Sequence, residues 1–198
     1  HSLFPDVRLL QTYGLSEVGI LRSKSKSSDS LWVKVGGEGF ETRIVDGMLE
    51  IKARSAMLGY LNAPSPFTED GWFITGDIAV MAEDGRVTIV GRAKDLIISG
   101  GFNVYPKEIE SAIDDLPGVR ESAVIGIPHP DFGEGVTAVV VPDGSSELSE
   151  QSVVAALSDR LARFKQPKRV FIVDALPRNT MGKVQKNILR DTYRDIFA

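Results

Sequence analysis

The stretch GRAKDLIISGGFNVYPKEIE, residues 91–110, is where the character of the sequence changes. Arg92, Lys94 and Asp95 stand directly before an apolar Leu-Ile-Ile triplet, and a pair of glycines follows that triplet. A plain strand needs no charge cluster at its entrance, and a plain turn needs only one residue with the backbone freedom of glycine. We therefore interpret this stretch as a joint between two segments that also contacts a ligand.

The segment before the joint has the pattern of β-structure. LWVKV, TRIVDGMLEIKA and RVTIVG are short, rich in β-branched residues and bounded by glycine or aspartate. The triplets VDG and EDG supply hairpin turns, because glycine tolerates a positive φ. LNAPSPFTEDG carries two prolines, which predicts a loop. These features predict a β-rich domain over residues 1–91.

Strands and helices alternate after the joint. Pro106 suits the first turn of a helix through KEIESAIDDL, Ser149 suits the cap of a helix in SEQSVVAALSDRLARF, and VQKNILRDTYRDIF predicts a last helix. ESAVIGI, GVTAVVV and KRVFIVD predict strands. The predicted fold class is α+β: the β-rich domain, followed by a small α/β domain over residues 92–198 with a short sheet and flanking helices. The boundary is expected between Val90 and Lys94.

The composition excludes several classes of protein and site. Of the 198 residues, 42% are hydrophobic and 25% are charged, as in ordinary globular domains. The sequence holds no cysteine, which excludes disulfides, thiolate metal sites and a cysteine nucleophile. It has no run of about 18 apolar residues and no basic-then-apolar signal pattern, so it predicts no membrane span and is compatible with a cytoplasmic location.

Charge is distributed unevenly along the chain. The net charge is −4, yet residues 160–198 hold ten Lys or Arg and three Asp, which gives +7 for this segment. A basic segment on an acidic chain indicates an anionic partner such as a nucleotide or a phosphorylated cofactor, or alternatively a solvated helix face. Aromatic residues do not alternate with these charges, so we expect no nucleic-acid partner.

Two stretches before the joint are richer in polar residues and glycine than packing requires. In QTYGLSEVG, Tyr13 offers a flat face beside the backbone of Gly14, and Ser16 and Glu17 offer a hydroxyl and a carboxylate that could hold a metal. In GWFITGD, Asp77 could accept hydrogen bonds from the two hydroxyls of a ribose. The alternatives are a surface turn with a half-buried tyrosine in the first stretch and an ordinary turn in the second.

A further stretch, LPRNTMGKVQK, lies near the C-terminus. Lys183 follows a glycine there among polar residues, and such a lysine could meet a phosphate or a carboxylate as a point charge. Taken alone, it would be interpreted as a solvated surface lysine.

In this order and spacing, the motifs resemble the later motifs of the adenylate-forming superfamily. That superfamily contains acyl-CoA synthetases, adenylation domains of peptide synthetases and beetle luciferases, and its Tyr-Gly-x-Ser/Thr-Glu, Thr-Gly-Asp, Gly-Arg-x-x-Asp and Gly-Lys motifs recur here. The resemblance spans essentially the whole chain. Residues 91–198 look most like malonyl-CoA synthetases, whereas Thr12 and Leu15 stand where those enzymes often have Arg and Met. The acyl substrate therefore stays open.

The resemblance implies roles in binding the nucleotide and the metal. The nucleotide-binding residues that it implies are Tyr13 at adenine, Gly14, Ser16 near phosphate, Asp77 at the ribose hydroxyls and Arg92 at the same sugar. Glu17 is implied to help hold Mg²⁺. The implied cofactors are ATP, Mg²⁺ and coenzyme A, and the residues before the joint would be the end of an AMP-binding large domain.

The resemblance also implies a reaction in two steps, with movement at the joint between them. Lys94 would be the hinge, Gly100 and Gly101 would line the channel for pantetheine, and Lys183 would contact the carboxylate and the α-phosphate during adenylation. The enzyme would first form acyl-AMP from a small carboxylic acid, with malonate or methylmalonate as candidates, and CoA would then attack after the small domain has rotated.

The Ser/Thr/Gly-rich phosphate loop that precedes these motifs in the superfamily does not occur in this sequence. We therefore expect the chain to be the C-terminal portion of a carboxylate–CoA ligase and to be inactive by itself. Two alternatives stay open: an adenylation enzyme that loads the phosphopantetheine thiol of a carrier protein, and a non-catalytic module that binds nucleotide or CoA.

Overall fold

The computed structural model describes residues 13–20, 23–25, 32–35 and 39–198. Thr12 and the first residue of the predicted LWVKV strand lie outside these described residues. The chain divides into two compact units, residues 1–93 and residues 94–198. Each unit has its own core, and each is described by itself below.

Within its described residues, the first unit is built on an antiparallel sheet of six strands in the order β3-β4-β8-β7-β6-β5, together with a two-stranded ladder of β1 and β2. The strands are β1 (Gly14–Leu15), β2 (Gly19–Ile20), β3 (Ser23–Ser25), β4 (Val33–Val35), β5 (Phe40–Val45), β6 (Met48–Ala53), β7 (Phe73–Met81) and β8 (Val87–Arg92). Buried side chains from β6, β7 and β8, among them Ile51, Phe73 and Val87, form the core of this unit. The β-rich first segment is thus as predicted.

The turns of this sheet follow from the local sequence. Asp46 and Gly47 connect β5 to β6 and have φ values of 49° and 78°. Two successive residues with positive φ make the type of two-residue turn that matches the twist of a hairpin. Gly85, in the predicted EDG turn, has a φ of 76° between β7 and β8. Both turn predictions are confirmed.

The second unit combines a five-stranded sheet with short helices, so the predicted α+β class is confirmed. A 3₁₀-helix, Ala93–Asp95, spans the boundary between the two units. The elements that follow are β9 (Ile97–Ser99), β10 (Phe102–Val104), α1 (Pro106–Asp114), β11 (Val119–His129), β12 (Gly133–Pro142), α2 (Glu150–Leu157), β13 (Arg169–Ile172) and α3 (Lys186–Thr192). β12 pairs with β11 and β9 in antiparallel fashion and with β13 in parallel.

The central strands β11 and β12 are buried on both faces, which explains why they read as continuous apolar runs. Val124 and Val140 face the layer that contains α1 and α2. Ile125 and Val139 face the opposite layer, which contains Leu189 of α3. Successive strand residues point to opposite faces, so one pair of strands supports two separate cores.

Both predicted cap features are present, but two helices end earlier than their sequences suggest. Pro106 begins α1, and the Ser149 side chain accepts a hydrogen bond from the Ser152 amide at 3.1 Å. α2 ends at Leu157 rather than near Phe164.

The early end of α2 has a physical cause in the residues that follow it. The Ser158 hydroxyl donates to the carbonyl of Ala155 at 2.8 Å, and the side-chain amide of Gln166 donates to the carbonyls of Ser158 and Leu161. These side chains satisfy carbonyl groups that a continued helix would have used. α3 also ends earlier than its sequence suggests, at Thr192, and the Thr192 hydroxyl donates to the carbonyl of Ile188 at 2.8 Å, a bond that competes with the helical amide for that carbonyl. No helix of the described residues is long and apolar enough to cross a membrane.

Candidate functional site

The first unit holds a buried carboxylate between two donors. Asp77 is only 4% exposed. One of its oxygens accepts a hydrogen bond from the Tyr13 hydroxyl at 2.5 Å, and the other pairs with Nε of Arg92 at 2.7 Å. The pairing of β7 with β8 sets Asp77 directly opposite Arg92. Three residues that the sequence suggested separately are therefore in one cluster, which we call the Asp77 cluster (Tyr13, Asp77 and Arg92).

The Thr-Gly-Asp motif lies inside strand β7, so its interpretation as an ordinary turn is wrong. Gly76 has a φ of 73°, a left-handed conformation that side chains disfavour. The buried Thr75 hydroxyl donates to the carbonyl of Leu49 at 2.7 Å and accepts from the Asp77 amide at 3.0 Å. The Thr75 carbonyl also accepts a hydrogen bond from Arg92 at 3.2 Å. These hydrogen bonds stabilise an irregular part of β7 at Gly76, directly before the Asp77 carboxylate.

The environment of Tyr13 keeps its hydroxyl protonated. Burial, followed by the hydrogen bond to Asp77, raises the pKa of Tyr13 far above the usual tyrosine range. Its side chain also packs against the core of the first unit. Tyr13 is therefore a fixed donor to Asp77 across the physiological pH range, and its ring has a defined position.

Glu17 lies in the turn between β1 and β2 and is half-buried. Its carboxylate accepts a hydrogen bond from the Tyr60 hydroxyl at 2.7 Å, and its carbonyl accepts from the Met57 amide at 2.7 Å. The hydrogen bond to Glu17 raises the pKa of Tyr60. Gly14 and Ser16 are exposed on either side of Leu15.

Among the described residues, no group of three or more His, Cys, Asp or Glu side chains is placed to bind a metal ion. Mg²⁺ is often held by one or two carboxylates together with phosphate oxygens of a substrate. A single oriented carboxylate such as Glu17 fits binding of Mg²⁺ that is shared with substrate phosphates.

Sequence reasoning missed Tyr60, because no local pattern links it to Glu17.

The joint and the paired glycines belong to two neighbouring features. Lys94 lies in the 3₁₀-helix, and the next residue, Asp95, pairs with Arg190 at 2.7 Å. Gly100 and Gly101 form the two-residue turn between β9 and β10, with φ values of 59° and 81°. A Cβ at Gly101 would meet no atom within 4 Å, so backbone conformation rather than space requires glycine there.

Lys183 is presented by a short hairpin, which we call the lysine hairpin (residues 178–184). Arg178 and Val184 form an antiparallel bridge at its base. The Asn179 side-chain oxygen accepts hydrogen bonds from the amides of Met181 and Lys183 at 3.0 and 2.9 Å. The backbone N–H of Asn179 donates to the carbonyl of Lys183 at 2.9 Å. The backbone of Lys183 is thus held at both its amide and its carbonyl, while the residue as a whole is exposed.

Two further ion pairs surround this hairpin, and sequence reasoning missed both. Arg178 donates to the carbonyl of Gly182 at 2.6 Å and also pairs with Glu121. Lys186 pairs with Glu110 of α1 at 2.6 Å. The asparagine could have been found from its position at the start of a turn that ends in glycine. The ion pairs join positions far apart in the sequence, and no local signal identifies such partners.

A family model and several curated proteins match this chain. The model of the AMP-binding enzyme C-terminal domain matches residues 108–183. A "3-[(3aS,4S,7aS)-7a-methyl-1,5-dioxo-octahydro-1H-inden-4-yl]propanoyl:CoA ligase" of Rhodococcus jostii is 43% identical over 92% of this chain and 37% of its own length. Long-chain-fatty-acid–CoA ligase FadD13 of Mycobacterium tuberculosis is 42% identical over 90% of this chain and 37% of its own length.

Solved structures agree with these matches. ATP-bound MatB from Rhodopseudomonas palustris is 49% identical with a TM-score of 0.83, over 94% of this chain and 41% of that one. The o-succinylbenzoate CoA synthetase MenE from Bacillus subtilis is 28% identical with a TM-score of 0.76, over 91% of this chain and 40% of that one. The chain therefore spans about two fifths of the length of these relatives. Residues 108–183 thus match the AMP-binding enzyme C-terminal domain, and in sequence and fold the chain is similar to the C-terminal portion of acyl-CoA ligases.

Proposed function

We propose that this chain forms the C-terminal part of an AMP-forming carboxylate–CoA ligase. In the first step, a carboxylate oxygen attacks the α-phosphorus of ATP, so that acyl-AMP forms and pyrophosphate leaves. In the second step, the thiol of CoA attacks the acyl carbon and AMP leaves. The observation that carries the proposal is the Asp77 cluster, a buried carboxylate bracketed by a fixed aromatic ring and an arginine.

The Asp77 cluster is the proposed nucleotide site. Each carboxylate oxygen of Asp77 accepts one described hydrogen bond, and a carboxylate can accept about four in all. Capacity therefore remains for the two hydroxyls of a ribose. The Arg92 side chain is 47% exposed and can contact the same sugar. We assign the ring of Tyr13 to adenine, the exposed backbone of Gly14 to the same pocket and Ser16 to the phosphates.

Glu17 is the proposed Mg²⁺ ligand of this chain. The Tyr60 hydroxyl occupies one oxygen and orients the carboxylate. When bound with the nucleotide, Mg²⁺ would neutralise phosphate charge. The contribution of this chain is an oriented carboxylate beside the segment that holds Tyr13.

The second unit is proposed to supply the mobile groups of the reaction. The ammonium of Lys183 would attract the substrate carboxylate and the α-phosphate, where negative charge accumulates during adenylation. Rotation at Lys94 would then withdraw it. Gly100 and Gly101 would let the pantetheine arm pass close to the backbone. In this assignment, residues 1–91 end the AMP-binding large domain and residues 92–198 are the small domain.

CoA is the proposed acceptor, rather than the phosphopantetheine of a carrier protein, because the relatives compared above are named as CoA ligases and synthetases. Malonate and methylmalonate are the proposed acids. The resemblance of residues 91–198 to malonyl-CoA synthetases supports this choice, together with the 49% identity to MatB. Other relatives are named for a long-chain fatty acid and a polycyclic propanoate, so the choice of acid needs a direct test. We also propose a cytoplasmic location, since a chain without cysteine has no disulfides that would require an oxidising compartment.

The test is a panel of acids assayed with the complete ligase that contains this chain. We expect acid-dependent release of pyrophosphate and CoA-dependent thioester formation, with malonate or methylmalonate preferred. Preference for medium or long fatty acids would overturn the malonate assignment. Absence of pyrophosphate release with every acid would favour a non-catalytic binding module. The 198-residue chain alone should release none, because its sequence has no phosphate loop to donate backbone N–H groups to the β- and γ-phosphates.

A further inference from the structure

The helix that follows the lysine hairpin is attached to the rest of its unit by a largely buried ion pair. Lys186, the first residue of α3, places its ammonium 2.6 Å from a carboxylate oxygen of Glu110 in α1. The two side chains are only 18% and 10% exposed. The same Glu110 oxygen accepts a hydrogen bond from the Val124 amide of β11 at 3.0 Å. Glu110 therefore connects α1, the central sheet and α3 at one point.

This attachment is close to Lys183 along the chain. The bridge between Arg178 and Val184 closes the lysine hairpin, and the backbone N–H of Gln185 donates to the carbonyl of Pro177 at 2.8 Å. Lys186 is the next residue, so a shift of Lys186 is passed to the hairpin through backbone that has little freedom. One turn further along α3, Arg190 pairs with Asp95 at 2.7 Å. This second ion pair joins α3 to Asp95, the residue directly after Lys94.

A pair of this kind contributes little net stability. Removing two charges from water costs about as much free energy as their attraction returns, and a well-packed neutral pair is often equally stable. What the ion pair does supply is a defined geometry, because the Glu110 carboxylate is itself oriented by the Val124 amide. A defined geometry matters for a lysine that must reach one particular oxygen of its substrate.

We propose that Glu110, acting through Lys186, is a positioning residue for Lys183 in the adenylation step. This inference rests on the proposed function. Glu110 does not contact the reacting atoms. It holds the start of α3, and therefore the lysine hairpin, in the position from which the Lys183 ammonium reaches the substrate carboxylate and the α-phosphate. The second step does not use Lys183, so it should not depend on Glu110.

The test measures both half-reactions in the complete ligase that contains this chain. Glu110→Gln and Lys186→Met should each slow adenylation by roughly tenfold or more, because a misplacement of about 1 Å can cost up to a hundredfold in rate. Thioester formation from supplied acyl-AMP should stay within about twofold of the wild type, and Lys186→Arg should retain most of the adenylation rate. Glu108→Gln is the matched control, since Glu108 lies in the same helix and pairs at 2.6 Å with Lys165, which belongs neither to the lysine hairpin nor to α3.

The double variant Glu110→Gln with Lys186→Met separates positioning from stability. It removes both charges, so its thermal midpoint should recover relative to the single variants, while adenylation should stay slow because the attachment is gone. Recovery of adenylation together with the midpoint would overturn the proposal, as would an equal loss of both half-reactions in the single variants or no loss at all. If either single variant fails to fold, the double variant decides between these outcomes.

Lys183→Ala, assayed in parallel, tests the proposed function separately. Slow adenylation in Lys183→Ala with normal adenylation in Glu110→Gln and Lys186→Met would reject the positioning role alone. Normal adenylation in Lys183→Ala would reject the role of the lysine on which the inference rests.

Discussion

Replacement of Tyr13 by Phe tests the Asp77 cluster most directly. The substitution removes the hydroxyl that donates to Asp77 at 2.5 Å and leaves the ring in place. Asp77 is 4% exposed, so the lost donor is not simply replaced by bulk water. A hydrogen bond to a charged group contributes about 1.5–3 kcal/mol. We expect the free energy of unfolding of the first unit to fall by about that amount.

Tryptophan fluorescence during urea denaturation measures this unit selectively. Both tryptophans of the sequence, Trp32 and Trp72, lie in the first unit. Tyr193→Phe is the matched control: Tyr193 belongs to the second unit and stacks on Phe171 with ring centroids 4.2 Å apart. This control should leave the fluorescence transition unchanged. A change below about 0.5 kcal/mol for Tyr13→Phe, which is within the range of neutral surface substitutions, would contradict the proposed strength of the cluster.

The same pair of proteins has a predictable pH dependence. The folded state raises the pKa of Tyr13 above its ordinary value of 10.0. A raised pKa contributes stability that is complete below the pKa of the unfolded chain and is lost as the pH rises beyond it, because the unfolded tyrosine then ionises first. The advantage of the wild type over Tyr13→Phe should therefore be constant at neutral pH and shrink above about pH 10. An advantage that grows with alkaline pH would contradict the direction of the pKa shift.

Three further substitutions, made in the complete protein that contains this chain, test the proposed roles of residues in the second unit and at the joint. Lys183→Ala should slow adenylation by about a hundredfold or more, while thioester formation from supplied acyl-AMP should change much less. Pyrophosphate release at the wild-type rate would reject the proposed catalytic role of Lys183. Lys94→Pro fixes φ at the joint, so adenylation should persist while thioester formation falls, and equal loss in both assays would indicate a role in folding instead. Asn179→Ala removes the acceptor of the Met181 and Lys183 amides, so adenylation should fall several-fold with a stability change of about 1 kcal/mol or less, since the loop is exposed. Asn179→Asp keeps the acceptor and serves as its comparison, and equal rates in the two variants would show that these hydrogen bonds do not position Lys183.

Predictions that depended on neighbouring residues were the accurate ones. Asp46 and Gly47 make the hairpin turn, Pro106 begins α1 and Ser149 caps α2. Each feature follows from the conformational preferences or hydrogen bonds of residues within a few positions of one another. The end of α2 was wrong because the Gln166 side chain returns to the carbonyls of Ser158 and Leu161. Periodicity in the sequence does not contain that hydrogen bonding.

The candidate residues follow the same division. Tyr13, Asp77, Arg92 and Lys183 were selected from motifs, since each motif combines a polar group with glycine in a short span. Their partners were not. Tyr13 and Asp77 are 64 positions apart, and their hydrogen bond exists only in the folded unit. No local sequence pattern identifies Tyr60 as the hydrogen-bond partner of Glu17. The same holds for Lys186 as the ion-pair partner of Glu110.

The sequence by itself determined the turns, the caps, the alternation of strands and helices and the set of chemical groups available for binding. These properties depend on the backbone freedom of glycine and proline and on the spacing of apolar residues, both of which are local. Only the tertiary structure decided which charges meet. The pairing of β7 with β8 sets Arg92 opposite Asp77, and the packing of α3 in the second unit brings Lys186 to Glu110. Strand register and helix packing are set by the burial of whole faces, so the partners of charged side chains are fixed only when those faces come together.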